Sequence, residues 1–334
     1  PPAKKTTPIM PETKFDVVGI GNAIVDVIAR AEDDLLVAED LVKGSMNLID
    51  ETRAETLYDK MGAATEMSGG SVANTVAGFA NLGGAAAYIG HVHADQLGEI
   101  FNHDMRSLGV DIRLEPSAIG APTARSYILI TPDAQRTMNT YLGSCTELGV
   151  ADVTPDTVGA PKLVLLEGYV WDIAEGPALT RRAIDIARSA GTRVALSLSD
   201  RYCVQRHRAE FTAAIRGGVD IVIADENEII DLLEVDSFDA AVAALDTKDT
   251  LYVLTRSEKG SVILGGGEHV VHPATRVDKV VDTTGAGDAY SAGFLYGWAQ
   301  DWPLAECAKL GTHCATQVIQ QVGARIEPGL LDSF

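Results

Sequence analysis

Residues 282–295 read DTTGAGDAYSAGFL and join a glycine turn to a helix-like run of small and apolar residues. The glycines let successive main-chain N–H groups approach a ligand closely. A helix that begins at this turn adds the positive end of its dipole. The junction therefore predicts an anion site built from the amides of Gly285, Ala286 and Gly287.

Asp288 ends this glycine turn, and a carboxylate is unexpected beside groups that bind anions. Phosphoryl transfer would explain its position, because in that reaction a base accepts the proton of the attacking hydroxyl while backbone donors hold the transferred group. We expect the helix dipole to lower the pKa of this carboxylate. One alternative stays open, in which Asp288 only caps the helix.

The composition is that of a folded protein with a strong negative charge. A chain of 334 residues predicts one large domain and a smaller one. The formal net charge of −20 argues against nucleic acid or an anionic membrane as partner. No apolar run approaches the roughly 20 residues that span a bilayer. The four cysteines show no C-x-x-C spacing, which predicts free thiols and a cytoplasmic protein.

Strands and helices alternate along most of the chain, which predicts a mostly parallel sheet covered by helices on both faces. Strands are predicted at residues 15–20, 85–89, 162–166, 194–198, 221–223, 251–254 and 261–264. Helices are predicted at residues 71–81, 96–108, 177–189, 209–215, 228–233 and 238–245.

Two pairs of segments interrupt this alternation with interleaved polar and apolar residues. The first pair is 23–29 with 46–49, and the second is 123–131 with 137–142, joined by a Thr-Pro-Asp turn that favours a hairpin. We expect these segments to form a small β lid. The predicted organisation is therefore a disordered tail at 1–14, which has no signal-peptide core, an α/β core at 15–22, 50–122 and 145–330, and a lid at 23–49 and 123–144.

The motif at 282–288 resembles the C-terminal signature of the ribokinase (PfkB) family, and SGGSVANT at 68–75 resembles the N-terminal signature of the same family. The resemblance extends from about residue 15 to residue 326. It implies a ribokinase-like, doubly wound α/β fold with a lid, and a kinase that uses ATP and Mg²⁺. GIGNAIVD at 19–26 and the lid lengths are most similar to adenosine kinases, which implies transfer to the 5′-hydroxyl of a ribonucleoside such as adenosine.

The resemblance also implies a role for each matching residue. Asp288 would be the general base, the amides of residues 285–287 the anion hole, and Arg136 a lid cation that meets the γ-phosphate. A carboxylate can accept from two vicinal hydroxyls, and a side-chain amide both donates and accepts. The residues implied to hold the ribose are Asn22, Asp26, Gly69, Gly70 and Asn74.

ATP and cations would be bound by a further set of matching residues. The ATP contacts implied are Thr255, Gly260 and His313, together with Gly285 and Gly287. Asp225 and Glu228 would organise magnesium through water, although the family usually has asparagine at position 225. Asp282 and Thr284 match residues that bind a monovalent cation, potassium, in ribokinase-like members.

The acceptor itself is left open by the sequence. Tyr169, Tyr202 and Trp171 are candidates for an aromatic wall against a nucleoside base, whereas Glu167 is more typical of sugar kinases. Free ribose or fructose, other ribonucleosides, and a non-catalytic nucleoside-binding role remain alternatives, as do a monomer and a homodimer. A dinucleotide-binding enzyme is rejected because Ile24 replaces the third glycine of its fingerprint.

Overall fold

The computed structural model describes residues 14–133 and 135–334. The tail predicted at 1–14 lies outside the described residues except for Lys14, whose ammonium pairs with Asp111 at 3.2 Å. The strands, numbered along the chain, are β1 (Val17–Ile20), β2 (Ile24–Arg30), β3 (Met46–Leu48), β4 (Ala64–Gly69), β5 (Ala86–Ile89), β6 (Asp111–Ile112), β7 (Ala124–Ile130), β8 (Arg136–Tyr141), β9 (Leu163–Glu167), β10 (Arg193–Ser197), β11 (Ile221–Asp225), β12 (Leu251–Thr255), β13 (Ser261–Gly265) and β14 (Glu268–His272). The α-helices are α1 (Asp33–Ala38), α2 (Glu51–Tyr58), α3 (Ser71–Asn81), α4 (Gln96–Ser107), α5 (Pro155–Val158), α6 (Gly176–Ser189), α7 (Arg201–Gly218), α8 (Glu226–Leu233), α9 (Phe238–Ala244), α10 (Ala286–Ala299) and α11 (Leu304–Val318).

The large sheet has nine strands in the order β14-β13-β12-β11-β10-β9-β1-β5-β6. The strands from β12 to β6 are parallel, and β13 and β14 extend the sheet in antiparallel pairs. Neighbouring residues of β1 point to opposite faces, so Val17 packs into one apolar cluster and Val18 into another. This double coverage confirms the predicted α/β class.

The small sheet has the strand order β3-β8-β7-β2-β4. Strands β7 and β8 form the predicted hairpin, and β2 pairs with β7 in parallel. Strand β4 was not predicted, and the boundary at 50–122 wrongly left it with the core. Its sequence ATEMSG lacks an apolar alternation, and it becomes a strand through its antiparallel pairing with β2.

Most of the predicted helix boundaries lie within two residues of the observed ones. Helix α3 has the predicted bounds, but α7 begins at Arg201 rather than at residue 209, because the carboxylate of Asp200 accepts the N–H of Cys203 and caps it. Helices α1 and α2, each shorter than ten residues, were not predicted.

The small sheet lies near the point where the strand order of the large sheet reverses. Strand β1 lies between β5 and β9, so the chain winds outward from β1 in both directions, and a crevice is expected at the carboxyl ends of these strands. Strand β4 of the small sheet runs into α3 through Gly70, whose φ of +95° is a left-handed conformation. Helix α3 packs against α10, which brings the two glycine motifs together.

Candidate active site

A cavity of about 460 Å³ lies between the small sheet and the carboxyl ends of β1 and β9. Its volume falls in the range of small-molecule sites, roughly 300–1,000 Å³. The predicted site residues that line it are Asn22, Asp26, Gly70, Asn74, Arg136, Glu167, Tyr169, Thr284, Gly285 and Asp288.

Asp288 lies in the first turn of α10 and is held by α3. Its Oδ1 accepts the hydroxyl of Ser71 at 2.7 Å, and its Oδ2 accepts the Nδ2–H of Asn74 at 2.9 Å. Burial raises the pKa of Asp288 above its ordinary value, against the opposing effect of the bonds from Asn74 and Ser71 and of the Arg325 charge. The expectation of a lowered pKa was wrong, because desolvation by burial outweighs the hydrogen bonds and the Arg325 charge that lower the pKa.

The glycine turn before Asp288 has the form expected of an anion site. Gly285 caps α10 with φ +71°, and its tight packing against Ala324 leaves no room for a side chain. Ala286 donates its N–H to the carbonyl of Thr283 at 3.2 Å, so one of the three predicted amides is already used within the turn. Among the described residues, the N–H groups of Gly285 and Gly287 have no such main-chain partner.

Polar groups without protein partners face the cavity at its β1–β2 side. The Oδ1 atoms of Asn22 and Asn74 are buried and form no hydrogen bond among the described residues. Such atoms are costly unless a ligand or water satisfies them. Asp26 projects from β2 over Gly69, where a Cβ would collide with its carboxylate. Burial raises the pKa of Asp26 to about 7, against the attraction of Arg325 and Arg136.

Glu167 ends β9 on the floor of the cavity and is 1% exposed. Its Oε2 accepts the N–H of Val72, in the first turn of α3, at 3.0 Å. Its Oε1 has no partner within the described part of the chain. Burial raises the pKa of Glu167 to about 8. A carboxyl group in this state can donate as well as accept a hydrogen bond.

Arg136 begins β8 and connects the small sheet to the glycine turn through an ion pair with Asp282. Burial lowers the pKa of Arg136 to about 10, and its Nη1 is buried without a partner among the described residues. Asp282 also accepts the N–H groups of Thr284 at 2.9 Å and Gly323 at 2.8 Å. The Asp282 carboxylate thus already contacts one positive charge and two N–H donors, and the implied potassium site stays a prediction from the resemblance.

Asp225 and Glu228 form a reciprocal cap at the start of α8. The Oδ1 of Asp225 accepts the N–H of Glu228 at 2.8 Å, and the Oε2 of Glu228 accepts the N–H of Asp225 at 2.9 Å. Each carboxyl group keeps its second oxygen outside these bonds, which suits a hydrated magnesium ion. Burial, with the charge of Asp225, raises the pKa of Glu228 to about 8.

The predicted ATP contacts Thr255, Gly260 and His313 do not line the cavity. Gly260 adopts φ +87° where the chain packs against the carbonyl of His272, which alone accounts for a glycine there. The Nε2 of His313 pairs with the hydroxyl of Ser333 at 3.1 Å. Their roles toward ATP therefore stay predictions from the resemblance.

The aromatic wall is smaller than expected. Tyr169 lines the cavity, but Tyr202 is 62% exposed and lies outside it. Trp171 packs on Phe211 in the core, with ring centroids 4.8 Å apart. Sequence spacing near strand ends did not distinguish these environments, because they depend on how α7 packs.

Ser71, Asp172 and Ser199 are among the cavity-lining residues that were not predicted. Ser71 follows Gly70 in the N-terminal motif, so its position could have suggested it. Asp172 lines the cavity near Tyr169, and its carboxylate is held by Arg206 at 2.6 Å and His207 at 2.7 Å. Ser199 lines the same end.

Asp172, His207 and Cys203 place potential metal-ligand atoms within 4.8 Å of one another. Arg206 already pairs with the Asp172 carboxylate, and burial raises the pKa of the Cys203 thiol, so the cluster favours an ion-pair network over a metal. None of the helices in the described part of the chain has the length and apolar character needed to cross a bilayer.

Comparison with known proteins agrees with this arrangement. Residues 16–329 match the family described as pfkB family carbohydrate kinase. The fold is similar to a probable sugar kinase from Rhizobium etli, with a TM-score of 0.91 and 47% identity over 96% of this chain and 98% of that one. It is also similar to the adenosine kinase of Sinorhizobium meliloti, with a TM-score of 0.89 and 48% identity over the same shares. The ATP-dependent ribose-1-phosphate kinase of Halopiger xanaduensis is 27% identical over 86% of this chain and 94% of the relative. The chain therefore belongs to the pfkB family and is a phosphotransferase that acts on hydroxyl groups of sugars or nucleosides.

Proposed function

We propose that this kinase transfers the γ-phosphoryl group of ATP to the 5′-hydroxyl of a ribonucleoside and that adenosine is its preferred acceptor. The observation that carries the proposal is the Asp288 carboxylate, bonded to Ser71 and Asn74 and facing a cavity of nucleoside size. The likeness to the Sinorhizobium meliloti adenosine kinase supports the choice of acceptor.

In the proposed reaction, Asp288 is the general base. Its raised pKa makes it a stronger proton acceptor than an ordinary aspartate, while the bonds from Ser71 and Asn74 favour its charged form. The proton of the 5′-hydroxyl passes to Asp288 as the oxygen forms a bond to the γ-phosphorus. The bond from that phosphorus to the leaving oxygen of ADP breaks in the same displacement.

The acceptor is oriented in this proposal by groups that lack protein partners. Asn22 and Asn74 offer their Oδ1 atoms to sugar hydroxyls, and Asp26 accepts from the vicinal pair. Each hydroxyl that satisfies a buried polar atom is worth about 1–3 kcal/mol relative to leaving that atom unpaired. The reacting hydroxyl is thereby held toward Asp288.

The transferred group would be received by the glycine turn. The N–H groups of Gly285 and Gly287, the start of α10 and the unpartnered Nη1 of Arg136 all offer positive charge there. We infer that the small sheet acts as a lid, because Arg136 reaches from β8 to the turn. Magnesium, held by Asp225 and Glu228 through water, would neutralise charge on the phosphates of ATP.

A sugar kinase is the second candidate, and Glu167 is the observation that favours it. Its unpartnered Oε1 could bind a hydroxyl that a nucleoside lacks, such as the anomeric hydroxyl of a free sugar. The two candidates share the same base and the same glycine turn.

The test is an ADP-release panel with adenosine, other ribonucleosides, ribose, fructose and ribose 1-phosphate as acceptors. We expect the highest kcat/KM with adenosine and a product phosphorylated at the 5′ position, identified by phosphorus NMR. A clear preference for a free sugar would overturn the proposed acceptor and leave the kinase assignment in place. The Asp288→Asn enzyme, purified identically, reports turnover from contaminating kinases.

A further inference from the structure

Arg325 follows α11 and makes an unusual set of contacts for a guanidinium within a protein. Its Nη2 donates to the carbonyl of Ser68 at 2.6 Å and to the hydroxyl of Ser68 at 2.7 Å. Its Nη1 donates to the carbonyl of Ala73 at 3.2 Å. Its Nη2 also lies 3.8 Å from the Sδ of Met105. All four acceptors are neutral, and within the described chain no carboxylate lies within 4.0 Å of this guanidinium.

The segment that Arg325 holds carries substrate-facing groups. Ser68 directly precedes the two glycines, and Ala73 directly precedes Asn74. Ser68 is 2% exposed, and its N–H is bonded from the other side by Asp104 of α4 at 2.9 Å. Arg325 therefore holds the turn from β4 into α3 on both sides of Gly70, at Ser68 and at Ala73.

The charge of Arg325 also acts on the carboxylates of the cavity. It attracts Asp26 of β2, Asp104 of α4 and Asp288 of α10, and Tyr88 of β5 faces it as well. Arg136 of β8 acts on Asp26, and Glu167 of β9 interacts with Asp288. Asp26 and Asp288 repel each other, so a cation near both reduces the cost of keeping two carboxylates in one cavity.

We propose that Arg325 is a positioning residue for phosphoryl transfer, which fixes the turn carrying Gly70 and Asn74 and supplies the positive charge that faces Asp26 and Asp288. The inference rests on the kinase function proposed above. It does not depend on which acceptor the enzyme prefers.

The experiment measures kcat/KM against pH for wild type, Arg325→Gln and Arg325→Lys, with whichever acceptor wild type turns over fastest. Without the positive charge, Asp26 and Asp288 bind protons more tightly, so the acidic limb of the Arg325→Gln profile moves to higher pH by about one unit. Lysine keeps the charge but has one nitrogen, so it cannot bond Ser68 and Ala73 together as Nη2 and Nη1 of the guanidinium do. We therefore expect Arg325→Lys to keep the limb and to raise the acceptor KM about tenfold.

Arg113→Gln is the matched control. The guanidinium of Arg113 donates to the carbonyls of Asp156 at 2.7 Å and Thr157 at 3.0 Å, and none of these three residues lines the cavity. Its loss is expected to leave both the limb and the KM unchanged.

An Arg325→Gln profile whose limb does not move, with only a lower melting temperature, would overturn the proposal and show a structural role. If Arg325→Gln does not fold, Arg325→Lys decides, because an unchanged KM contradicts the positioning role. If the wild-type enzyme prefers a sugar, the proposed acceptor is wrong, but the expected effects of the Arg325 variants stay the same.

Discussion

The Nδ2 of Asn74 donates a 2.9 Å hydrogen bond to the Oδ2 of Asp288, across 214 positions of sequence. Because the carboxylate only accepts, this bond fixes which end of the Asn74 amide faces Asp288. The Oδ1 of Asn74 is left buried without a partner within the described chain. One side chain thus contacts the proposed base and offers an acceptor to the substrate.

Asp288→Asn is expected to lower kcat by about 10³-fold, because an amide cannot take the proton of the attacking hydroxyl. The substitution keeps the size of the side chain, so the fold should persist. Turnover is measured by ADP release and folding by circular dichroism. Asp301→Asn, at an exposed left-handed position that asparagine tolerates, is the matched control. Equal turnover of the Asp288→Asn enzyme and wild type would refute the base assignment.

Glu167→Gln should make stability less dependent on pH. The pKa of Glu167 is raised to about 8 in the folded protein, from an ordinary value of 4.5. A raised carboxyl pKa means that the folded state binds the proton more tightly, so the stability it contributes is full below about pH 4.5 and is lost as pH rises through 8. Glutamine stays neutral and avoids that loss, which is roughly 5 kcal/mol in full and roughly 3 kcal/mol between pH 6 and pH 9.

The check is the free energy of unfolding of both proteins at pH 6 and pH 9. The stability of Glu167→Gln relative to wild type is expected to increase between these values. Other raised carboxyl groups are common to both proteins and cancel in the comparison. A difference between the two proteins that is the same at both pH values would show that Glu167 does not titrate in this range.

Local patterns in the sequence were sufficient for most of the large sheet and insufficient for the details of the site. Buried parallel strands such as β1 are continuous apolar runs, and that signal is local. Strand β4 has no such signal, because its partner β2 lies some forty residues earlier and only the folded pairing makes it a strand.

The sequence motifs likewise predicted which residues share the site, but not the pKa values and ion pairs within it. The glycine motifs predicted that Asp288 and Asn74 belong to one site, but the pKa direction of Asp288 depends on desolvation by packed elements. The Arg136–Asp282 pair joins residues 146 positions apart, and no spacing rule predicts it. The prediction that Tyr202 lines the cavity was wrong for a similar reason, because the exposure of a side chain depends on tertiary packing.

Gly70→Ala is expected to weaken acceptor binding by more than the general cost of alanine at positive φ. Gly70 has φ +95°, and an added Cβ would collide with the main-chain oxygen of Asn22. Gly83 has φ +94° with open space around the same position, so Gly83→Ala is a matched control for backbone strain alone. We expect both variants to lose stability and only Gly70→Ala to raise the acceptor KM, about tenfold or more. Equal KM values for the two variants would show that the contact between residue 70 and Asn22 does not affect acceptor binding.

The ion pair between Arg136 and Asp282 leads to a prediction about monovalent cations. The Asp282 carboxylate accepts from Arg136, Thr284 and Gly323, so the guanidinium supplies the positive charge that a bound potassium ion would bring. Replacing potassium by choline at constant ionic strength should therefore change kcat/KM by no more than about twofold. Activation by potassium of more than tenfold would contradict this reasoning.

Arg136→Gln tests the same pair from the other side. Removing the guanidinium should lower kcat by about 10²-fold, because one preorganised positive charge at the transferred group is lost. It also frees one side of the Asp282 carboxylate, so potassium should now restore part of the activity that choline does not. Arg125→Gln is the control, since Arg125 lies on the neighbouring strand β7 and its Nε donates to the Tyr127 hydroxyl at 2.9 Å within the small sheet. If the Arg136→Gln enzyme retains the wild-type kcat in choline, Arg136 has no catalytic role.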